Sequence, residues 1–277
     1  MRLVTITTLL SALLAPAFAE QPVQWVCYYG SDAPVGAFDR YGLLVLDSDS
    51  HPELRPLGDR GKKLIGYLSV GEVENTRTHF NAVKAEGILL QENANWKGSF
   101  FVDVRDPRWT KRIVEKLIPE ILRRGFDGVF LDTVDNAPHL EQLEAKRYRG
   151  MTAGMVSLIK TIRRHFPGIK VIMNRGFEIL PQVEQHVDMV LGESVFADYD
   201  FASKKYRLVA AQEYQQQVRL LKEAKRRSPQ LTILTLDYWD PTDKAGIARI
   251  YREQRMNGFL PYVATLNLDR IVEEPRF

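Results

Sequence analysis

Short runs of aliphatic, β-branched and aromatic residues alternate with longer amphipathic stretches along most of the chain. We count eight strand-like runs, separated in most cases by stretches long enough to cross over and return a parallel strand. The predicted strands are residues 23–29, 42–47, 63–72, 128–132, 170–174, 188–193, 231–237 and 259–267. Amphipathic stretches include residues 109–124, 149–165, 211–227 and 244–256. This alternation restricts the chain to an α/β fold with a largely parallel sheet.

Eight strand-and-helix units in a chain of 277 residues predict a closed (β/α)8 TIM barrel, which we assign to a single domain over residues 20–277. The alternative is a doubly wound open sheet, which usually carries a Gly-rich phosphate turn after its first strand. That turn is missing here.

A ninth short run, residues 99–104, does not fit the count. We place it within a long connection from Gly71 to Pro107, and a loop of that length on a barrel is typically functional.

The first residues predict export. A charged start at Arg2 is followed by an apolar stretch and by the small-residue pattern Ala17-Phe18-Ala19, which resembles a secretory signal peptide over residues 1–19. A membrane anchor is the alternative, but the apolar stretch is interrupted by Pro16 and is shorter than the roughly 20 residues that span a bilayer. We therefore expect a periplasmic or secreted protein with no stable membrane insertion after cleavage.

Composition and motif searches narrow the chemistry. The formal net charge is only +3, and the basic residues gather on helix-like segments as a solvated face, so we expect no nucleic-acid partner. Cys27 is the only cysteine, which excludes an internal disulfide, and we expect it to be buried in a strand. No metal-ligand spacing of histidines and no G-x-S-x-G elbow occurs. We predict neither a metal nor a cofactor. The chemistry that remains is a mechanism with two paired carboxylates, which is the usual one for glycoside cleavage.

Polar side chains follow the predicted strands, at the end of a parallel barrel where active sites lie. They are Asp47, Asp49, Glu72, Glu74, Asp132, Asp135, Asn174, Arg175, Glu193, Asp237, Asp240 and Asn267. For several of them, Asp135 included, a helix-capping or loop role is the more common one. Glu72 and Glu193 differ, since each follows a β-like run and a glycine, and Glu is not a favoured cap. Carboxylates that share one mouth raise each other's pKa, as a general acid requires.

Aromatic residues accompany these polar groups. They are Tyr28, Tyr29, Tyr67, Phe196, Tyr238, Trp239 and Tyr262. We expect two or three of them to pack in the core. The others have the flat apolar faces and polar tips that stack on the C–H faces of sugar rings.

Four motifs are more specific in combination than any one alone. They are YLSVGEVE (67–74), GFDGVFLDTVDN (125–136), VIMNRG (171–176) and VLGESVF (190–196). With these motifs the chain resembles the endo-α-1,4-polygalactosaminidase family of glycoside hydrolases and the related hydrolase domains of bacterial exopolysaccharide systems. The resemblance spans essentially the whole mature chain. It implies a (β/α)8 barrel whose catalytic acids end the fourth and sixth strands, here Asp132 and Glu193.

The resemblance also implies a polysaccharide partner made of α-1,4-linked galactosamine and N-acetylgalactosamine. By analogy with other α-glycosidase barrels, Asp132 is assigned as nucleophile and Glu193 as general acid/base. A carboxyl separation of about 5–5.5 Å would imply retention, and one of about 6.5–9.5 Å inversion. The residues expected to contact substrate are Tyr28, Tyr67, Glu72, Asp135, Asn174, Arg175, Asp237, Tyr238 and Trp239.

Two other functions fit parts of the pattern. A non-catalytic carbohydrate-binding barrel would keep the aromatic mouth, but binding alone does not need both Asp132 and Glu193. A metal-dependent sugar isomerase or aldolase would use these two acids and Asp237 as oxygen ligands to Mg²⁺ or Mn²⁺. The strand ends also carry about ten carboxylates against one arginine, Arg175. This count predicts a negative mouth that prefers a cationic, partly deacetylated polymer to uronic-acid polymers.

Overall fold

The computed structural model describes residues 24–275. Its strands are β1 (Trp25–Tyr28), β2 (Leu43–Leu46), β3 (Lys63–Ser69), β4 (Glu72–Glu74), β5 (Leu89–Glu92), β6 (Ser99–Val102), β7 (Gly128–Asp132), β8 (Lys170–Asn174), β9 (Met189–Glu193), β10 (Ala197–Asp200), β11 (Lys205–Leu208), β12 (Thr232–Tyr238) and β13 (Leu260–Ala264). Eight of them form one parallel sheet in the order β1-β2-β3-β7-β8-β9-β12-β13. Each of the eight predicted runs supplies one of these strands.

The first and last strands of this sheet lie side by side. The indole nitrogen of Trp25 on β1 donates to the carbonyl oxygen of Leu260 on β13, at 2.8 Å. The rings of Trp25 and Tyr262 pack with their centroids 5.6 Å apart. The sheet is therefore a nearly closed (β/α)8 barrel, and the open-sheet alternative is wrong.

Helices cover the outside of the barrel. They are α1 (Leu54–Gly58), α2 (Phe80–Ala85), α3 (Pro107–Arg112), α4 (Ile118–Arg124), α5 (Asn136–Leu143), α6 (Met151–His165), α7 (Leu180–Val183), α8 (Ala211–Arg227) and α9 (Lys244–Met256), with a 3-10 turn at Val35–Phe38 and a π-helical segment at Ile113–Leu117 between α3 and α4. In α6 the buried residues Met155, Leu158, Ile159 and Ile162 follow helical spacing, so one face packs on the sheet. The four amphipathic stretches are helical, within two residues at their ends.

Two additions leave the barrel wall at its carboxyl end. After β3, a three-stranded antiparallel sheet runs in the order β4-β6-β5, and its central strand is the ninth run that did not fit the barrel. The predicted strand 63–72 is broken, because β3 ends at Ser69 and the chain turns at Gly71. A Cβ at Gly71 would lie 2.2 Å from the carbonyl oxygen of Thr133, so only glycine fits this close approach. After β9 comes the antiparallel hairpin β10–β11, which the sequence did not predict.

Within residues 24–275, no helix is both long and apolar enough to cross a membrane. The predicted signal peptide, residues 1–19, lies outside the described residues.

Candidate active site

Three neighbouring barrel strands end in polar side chains. Asp132 is the last residue of β7, Asn174 of β8 and Glu193 of β9, the fourth, fifth and sixth strands of the barrel. Each is followed by a non-glycine residue in the left-handed backbone region: Thr133 (φ 60°), Arg175 (φ 52°) and Ser194 (φ 53°). Such residues are uncommon and concentrate at functional sites. The chain therefore leaves all three strands by the same kind of turn, directly after the polar residue.

The amide of Asn174 joins the two carboxylates. Its Nδ2 donates to Asp132 Oδ1 at 2.9 Å and to Glu193 Oε2 at 2.6 Å. These two oxygens can therefore be no farther apart than the sum of those distances, 5.5 Å. Asn174 is 5% exposed, so the nitrogen that links the two acids is held inside the protein.

A phenol completes the hydrogen bonding of each acid. The hydroxyl of Tyr67 donates to Asp132 Oδ2 at 2.9 Å, and the hydroxyl of Tyr238 donates to Glu193 Oε1. Burial, followed by the adjacent negative charge, raises the pKa of both phenols, so they stay protonated as donors. Each carboxylate therefore has one amide donor and one phenol donor.

Glu193 lies in a setting that favours its protonated form. Burial raises the pKa of its carboxyl group, and the negative charge of Asp132 raises it further. The hydrogen bonds from Asn174 and Tyr238 act in the opposite direction, since they stabilise the charged form, but the net pKa shift is upward. An acid whose pKa is raised beside a second carboxylate is suited to donate a proton.

The aromatic residue beside this site is Tyr29, which directly follows β1, and not Tyr28, the last residue of that strand. Tyr29 packs edge-on against Tyr67, with centroids 5.2 Å apart, and the charge of Asp132 contributes to its raised pKa after burial. Tyr28 faces the other way, where its hydroxyl donates to Asp32 Oδ1 at 2.6 Å and its ring packs on Phe38. Neighbouring residues along a strand point to opposite faces, so only Tyr29, of the two tyrosines predicted near this strand end, faces the site.

Cys27 lies on β1, two residues before Tyr29, within reach of the charges of both carboxylates. It is buried, as the sequence predicts. Burial raises the pKa of its thiol, and the charges of Glu193 and Asp132 add to that rise, so the thiol stays neutral.

The structure does not place Asp237 at the mouth. It is completely buried, and its Oδ1 accepts from the backbone nitrogens of Phe196 and Ala197 at 2.7 and 2.8 Å. Its Oδ2 accepts from Gln254 Nε2 of α9 at 2.7 Å. Burial raises the pKa of Asp237 to about 6, although these hydrogen bonds lower it. The residue joins the hairpin β10–β11 to the barrel and is not placed to contact a substrate.

Glu72 is also a structural acid. It is 5% exposed and accepts hydrogen bonds from Asn93 Nδ2 at 2.7 Å, from Asn136 Nδ2 at 2.6 Å and from the hydroxyl of Ser99. These donors come from the three-stranded sheet and from the start of α5. Glu72 therefore holds the sheet to the barrel rather than shaping a sugar subsite as predicted.

Asp135 and Arg175 lie at the mouth, next to the carboxylates. Arg175 Nε is 3.1 Å from Asp135 Oδ2, and its Nη1 donates to the backbone oxygen of Glu193 at 3.4 Å. Burial raises the pKa of Asp135, Arg175 lowers it and Asp132 raises it again, with a net upward shift. Both side chains remain more than one third exposed, so they are accessible to a ligand.

Trp239 lies outside the barrel interior. Its indole nitrogen donates to Asp243 Oδ2 at 2.9 Å, and its ring packs against the cluster that contains Phe196 and Tyr251. Asp243 is the N-cap of α9, so Trp239 covers the start of that helix. Trp239 directly follows β12 and points away from the carboxylates, whereas Tyr238, the last residue of that strand, faces them.

The mouth is less negative than a count of acids suggests. Arg77 reaches Asp47 at 2.8 Å, Asp49 at 2.9 Å and Glu74 at 3.6 Å. Arg124 adds a contact of 2.6 Å to Asp49. Ion pairs thus neutralise much of the charge beyond the second and third barrel strands. Apart from the pair of Arg77 with nearby Glu74, the local sequence does not reveal these ion pairs, because Asp47 and Asp49 lie many residues away from Arg77 and Arg124.

In the part of the chain that the structure describes, no cluster of three or more His, Cys, Asp or Glu side chains is arranged to hold a metal ion.

Comparison with known families and structures gives a consistent result. The model of glycoside-hydrolase family GH114 matches residues 10–276. The glycoside hydrolase domain of PelA from Pseudomonas aeruginosa superposes with a TM-score of 0.80 at 25% identity, over 91% of this chain and 98% of that one. Aspergillus fumigatus Ega3, solved in complex with galactosamine, shares the fold with a TM-score of 0.66 at 16% identity, over 91% of this chain and 94% of that one.

Curated relatives are similar in sequence but carry no assigned activity. An uncharacterized protein of Deinococcus radiodurans is 26% identical over 219 residues, which cover 77% of this chain and 67% of the relative. The uncharacterized protein MJ1477 of Methanocaldococcus jannaschii is 26% identical over 239 residues, which cover 81% of this chain and 67% of the relative.

Proposed function

Because the chain belongs to glycoside-hydrolase family GH114, we propose that this glycoside hydrolase cleaves α-1,4-linked polymers of galactosamine and N-acetylgalactosamine, with Asp132 and Glu193 as its catalytic carboxylates. The observation that carries the assignment of residues is the pair of acids that share the amide of Asn174. The likeness to a structure solved with galactosamine supports this class of sugar. Family membership also favours hydrolysis over sugar binding alone and over the metal-dependent isomerase or aldolase.

In the first step, Asp132 attacks the anomeric carbon and Glu193 donates its proton to the leaving glycosidic oxygen. Tyr67 and Asn174 hold the two oxygens of Asp132 in a fixed orientation for this attack. The product is a glycosyl ester on Asp132, and the released chain leaves with the proton of Glu193.

In the second step, Glu193 acts as base and water hydrolyses the ester. The negative charge of Asp132 contributes to the raised pKa of Glu193 in the free enzyme, and that charge disappears when the ester forms. The pKa of Glu193 then falls, so it accepts a proton from the incoming water. Asn174 and Tyr238 stabilise the charged form of Glu193 during this step.

This pathway predicts retention of configuration. The two oxygens bound to Asn174 are at most 5.5 Å apart, which leaves no room for the water that an inverting enzyme holds between its carboxyl groups. Proton NMR of the first product from a defined α-linked oligosaccharide should show the α-anomer before mutarotation. Initial release of the β-anomer would contradict the assignment of Asp132 as nucleophile.

The substrate class is tested with the purified protein on three polymers: partly deacetylated α-1,4-galactosaminan, its fully acetylated form, and polygalacturonate. Release of reducing ends is expected from galactosaminans and not from the uronate polymer. The Asp132→Asn variant serves as the blank for contaminating hydrolases. A folded protein that releases no reducing ends from either galactosaminan would refute the proposed substrate.

We further propose that the protein is exported, on the basis of the pattern in residues 1–19. Expression of the full chain with a carboxyl-terminal tag, followed by cell fractionation and amino-terminal sequencing, tests this. A mature protein that begins at Glu20 outside the cytoplasm is expected, and a cytoplasmic protein that retains Met1 would refute export.

A further inference from the structure

Two exposed aromatic rings meet at the mouth of the barrel. Trp96, between β5 and β6, packs edge-on against Phe201, in the turn of the hairpin β10–β11, with ring centroids 5.5 Å apart at 83°. Each is 53% exposed. The other exposed large apolar side chains in residues 24–275 are Leu143, Leu208 and Met256, none of them aromatic. An edge-on contact leaves ring faces open to a ligand.

The two loops come from separated parts of the barrel. The loop of Trp96 follows the third barrel strand, and the hairpin of Phe201 follows the sixth. The fourth and fifth strands, which carry Asp132 and Asn174, lie between them. The hairpin also reaches the loop after the eighth strand, where the backbone nitrogen of Leu266 donates to the hydroxyl of Tyr206 at 3.4 Å. The hairpin contacts both the loop after the third strand and the loop after the eighth strand, so it extends across the mouth of the barrel.

Contacts within the hairpin fix the position of Phe201. The ring of Tyr199 packs against Phe201 at 5.4 Å and against Tyr206 at 5.2 Å. Asp200 accepts from the backbone nitrogens of Ala202 at 2.8 Å and of Ser203 at 3.3 Å, which stabilises the turn. Because the rings are already held in place, binding on them costs little ordering.

We propose that Trp96 and Phe201 form a carbohydrate-binding subsite, which stacks a pyranose ring of the polymer remote from the bond that is cleaved. This inference rests on the proposed function. A polymer cut at Asp132 and Glu193 must extend out of the mouth, and the aromatic subsite lies where the loops of strands three and six meet above it. Flat apolar surfaces of this kind suit the C–H face of a sugar.

The charge around the subsite selects the form of that sugar. Lys97 follows Trp96 directly, and Lys204 and Lys205 follow Phe201 by three and four residues. All three are exposed, and among the described residues none of them forms an ion pair within 4.0 Å, whereas Asp200, which directly precedes Phe201, lies 3.7 Å from Arg207. A protonated amino sugar would be repelled here, whereas an N-acetylated ring is neutral and offers a methyl group to the aromatic surface. The subsite therefore prefers N-acetylgalactosamine.

The test compares Trp96→Ala, Phe201→Ala and the double variant with wild type on galactosaminan oligomers of increasing length. Met256→Ala is the control, because Met256 is also an exposed large apolar side chain but ends α9, at the opposite end of the barrel. The expected result is a rise in KM of about tenfold for the double variant on long acetylated oligomers, with a smaller rise on shorter ones and little change in kcat. Met256→Ala should match wild type.

A second arm tests the preference for acetylated rings. Replacing Lys97, Lys204 and Lys205 with Gln should narrow the difference in KM between acetylated and deacetylated oligomers at low salt. Unchanged KM at every length in the aromatic double variant, with active wild type, would overturn the subsite. A wild type that neither cleaves nor binds galactosaminans would instead refute the proposed function, and the subsite with it.

Discussion

Two pairs of carboxylates at the carboxyl end of this barrel have opposite surroundings. Asp132 and Glu193 remain partly exposed, share one amide donor and face each other across the mouth. Glu72 and Asp237 are 5% and 0% exposed, and each accepts three hydrogen bonds from separate donors. The first pair has a neighbouring negative charge and an opening for a ligand. The second pair instead holds loops to the barrel through these hydrogen bonds.

The comparison shows that burial of an acid does not by itself identify a catalytic residue. Burial is the largest cause of the raised pKa of both Glu193 and Asp237. The second carboxylate and the open mouth distinguish Glu193. Asp237 instead anchors the backbone at Phe196 and Ala197, at the root of the hairpin that carries Phe201. Asp237 thus helps to hold in place the hairpin that carries Phe201 of the proposed subsite.

The largest expected effect comes from removing the charge of the open pair. Asp132→Asn and Glu193→Gln should each lower kcat/KM by about 10³-fold or more, because the amide keeps the shape but cannot act as nucleophile or acid. Reducing-end assays measure the activity, and thermal unfolding should show a melting temperature close to wild type. Activity above one tenth of wild type in both variants would contradict their catalytic assignment.

The matched change in the enclosed pair should act on stability. Asp237→Ala leaves the backbone nitrogens of Phe196 and Ala197 and the amide of Gln254 without a partner, at a cost of about 2–4 kcal/mol. Thermal unfolding should show a fall in Tm of roughly 5–10 °C, given the usual shift per kcal/mol for a chain of this size. Glu72→Ala should behave similarly. If either variant keeps wild-type stability but loses all turnover, the division into open and structural acids fails.

Asp237 also predicts a pH dependence of stability. Its pKa of about 6 in the folded protein lies above its ordinary value of 3.8, so the folded state binds more protons between these values. The contribution of Asp237 to the free energy of unfolding therefore falls by roughly 3 kcal/mol as pH rises from about 4 to 6. Above pH 6 this contribution is constant. In Asp237→Asn this loss should disappear because an amide does not titrate, and the Oε1 of Gln254, which has no hydrogen-bond partner within residues 24–275, can accept from the new amide.

Chemical denaturation at pH 4, 5, 6 and 7 measures this difference between wild type and Asp237→Asn. Glu193→Gln should be measured alongside, because it removes the partly exposed acid with a raised pKa and so shows how much that acid contributes to the pH dependence of stability. If the stability of Asp237→Asn depends on pH in the same way as that of wild type, groups other than Asp237 control the pH dependence of stability.

The smallest expected effect comes from Tyr238→Phe. The hydroxyl of Tyr238 stabilises the charged form of Glu193, so its loss should raise the pKa of Glu193 further. The alkaline limb of the kcat/KM profile should then move to higher pH, with a fall in kcat of roughly three- to tenfold. Tyr28→Phe is the control, because its hydroxyl binds Asp32 outside the site. Equal pH profiles in Tyr238→Phe and wild type would contradict the role of Glu193 as acid.

Much of the fold could be predicted because its signals are local. The runs at residues 128–132 and 170–174 match β7 and β8, and α8 and α9 have the predicted bounds. A polar residue that ends an apolar run also marks the carboxyl end of a strand, which identified Asp132, Asn174 and Glu193. Structure within the connections between barrel strands was harder to predict. The hairpin β10–β11, for example, has short strands and follows β9 without a strong turn signal.

The sequence by itself determined the barrel, the order of its strands and the strand ends that carry polar groups, because hydrophobic periodicity is set by neighbouring residues. The tertiary structure decided which of those groups meet. Asn174 reaches Asp132 and Glu193 only because three strands pack in register, and Arg77 neutralises Asp47 only after the third-strand loop folds back. Tyr28 and Asp237 were predicted to contact substrate but point away from the carboxylates, since the face that a strand residue presents depends on the closure of the whole sheet.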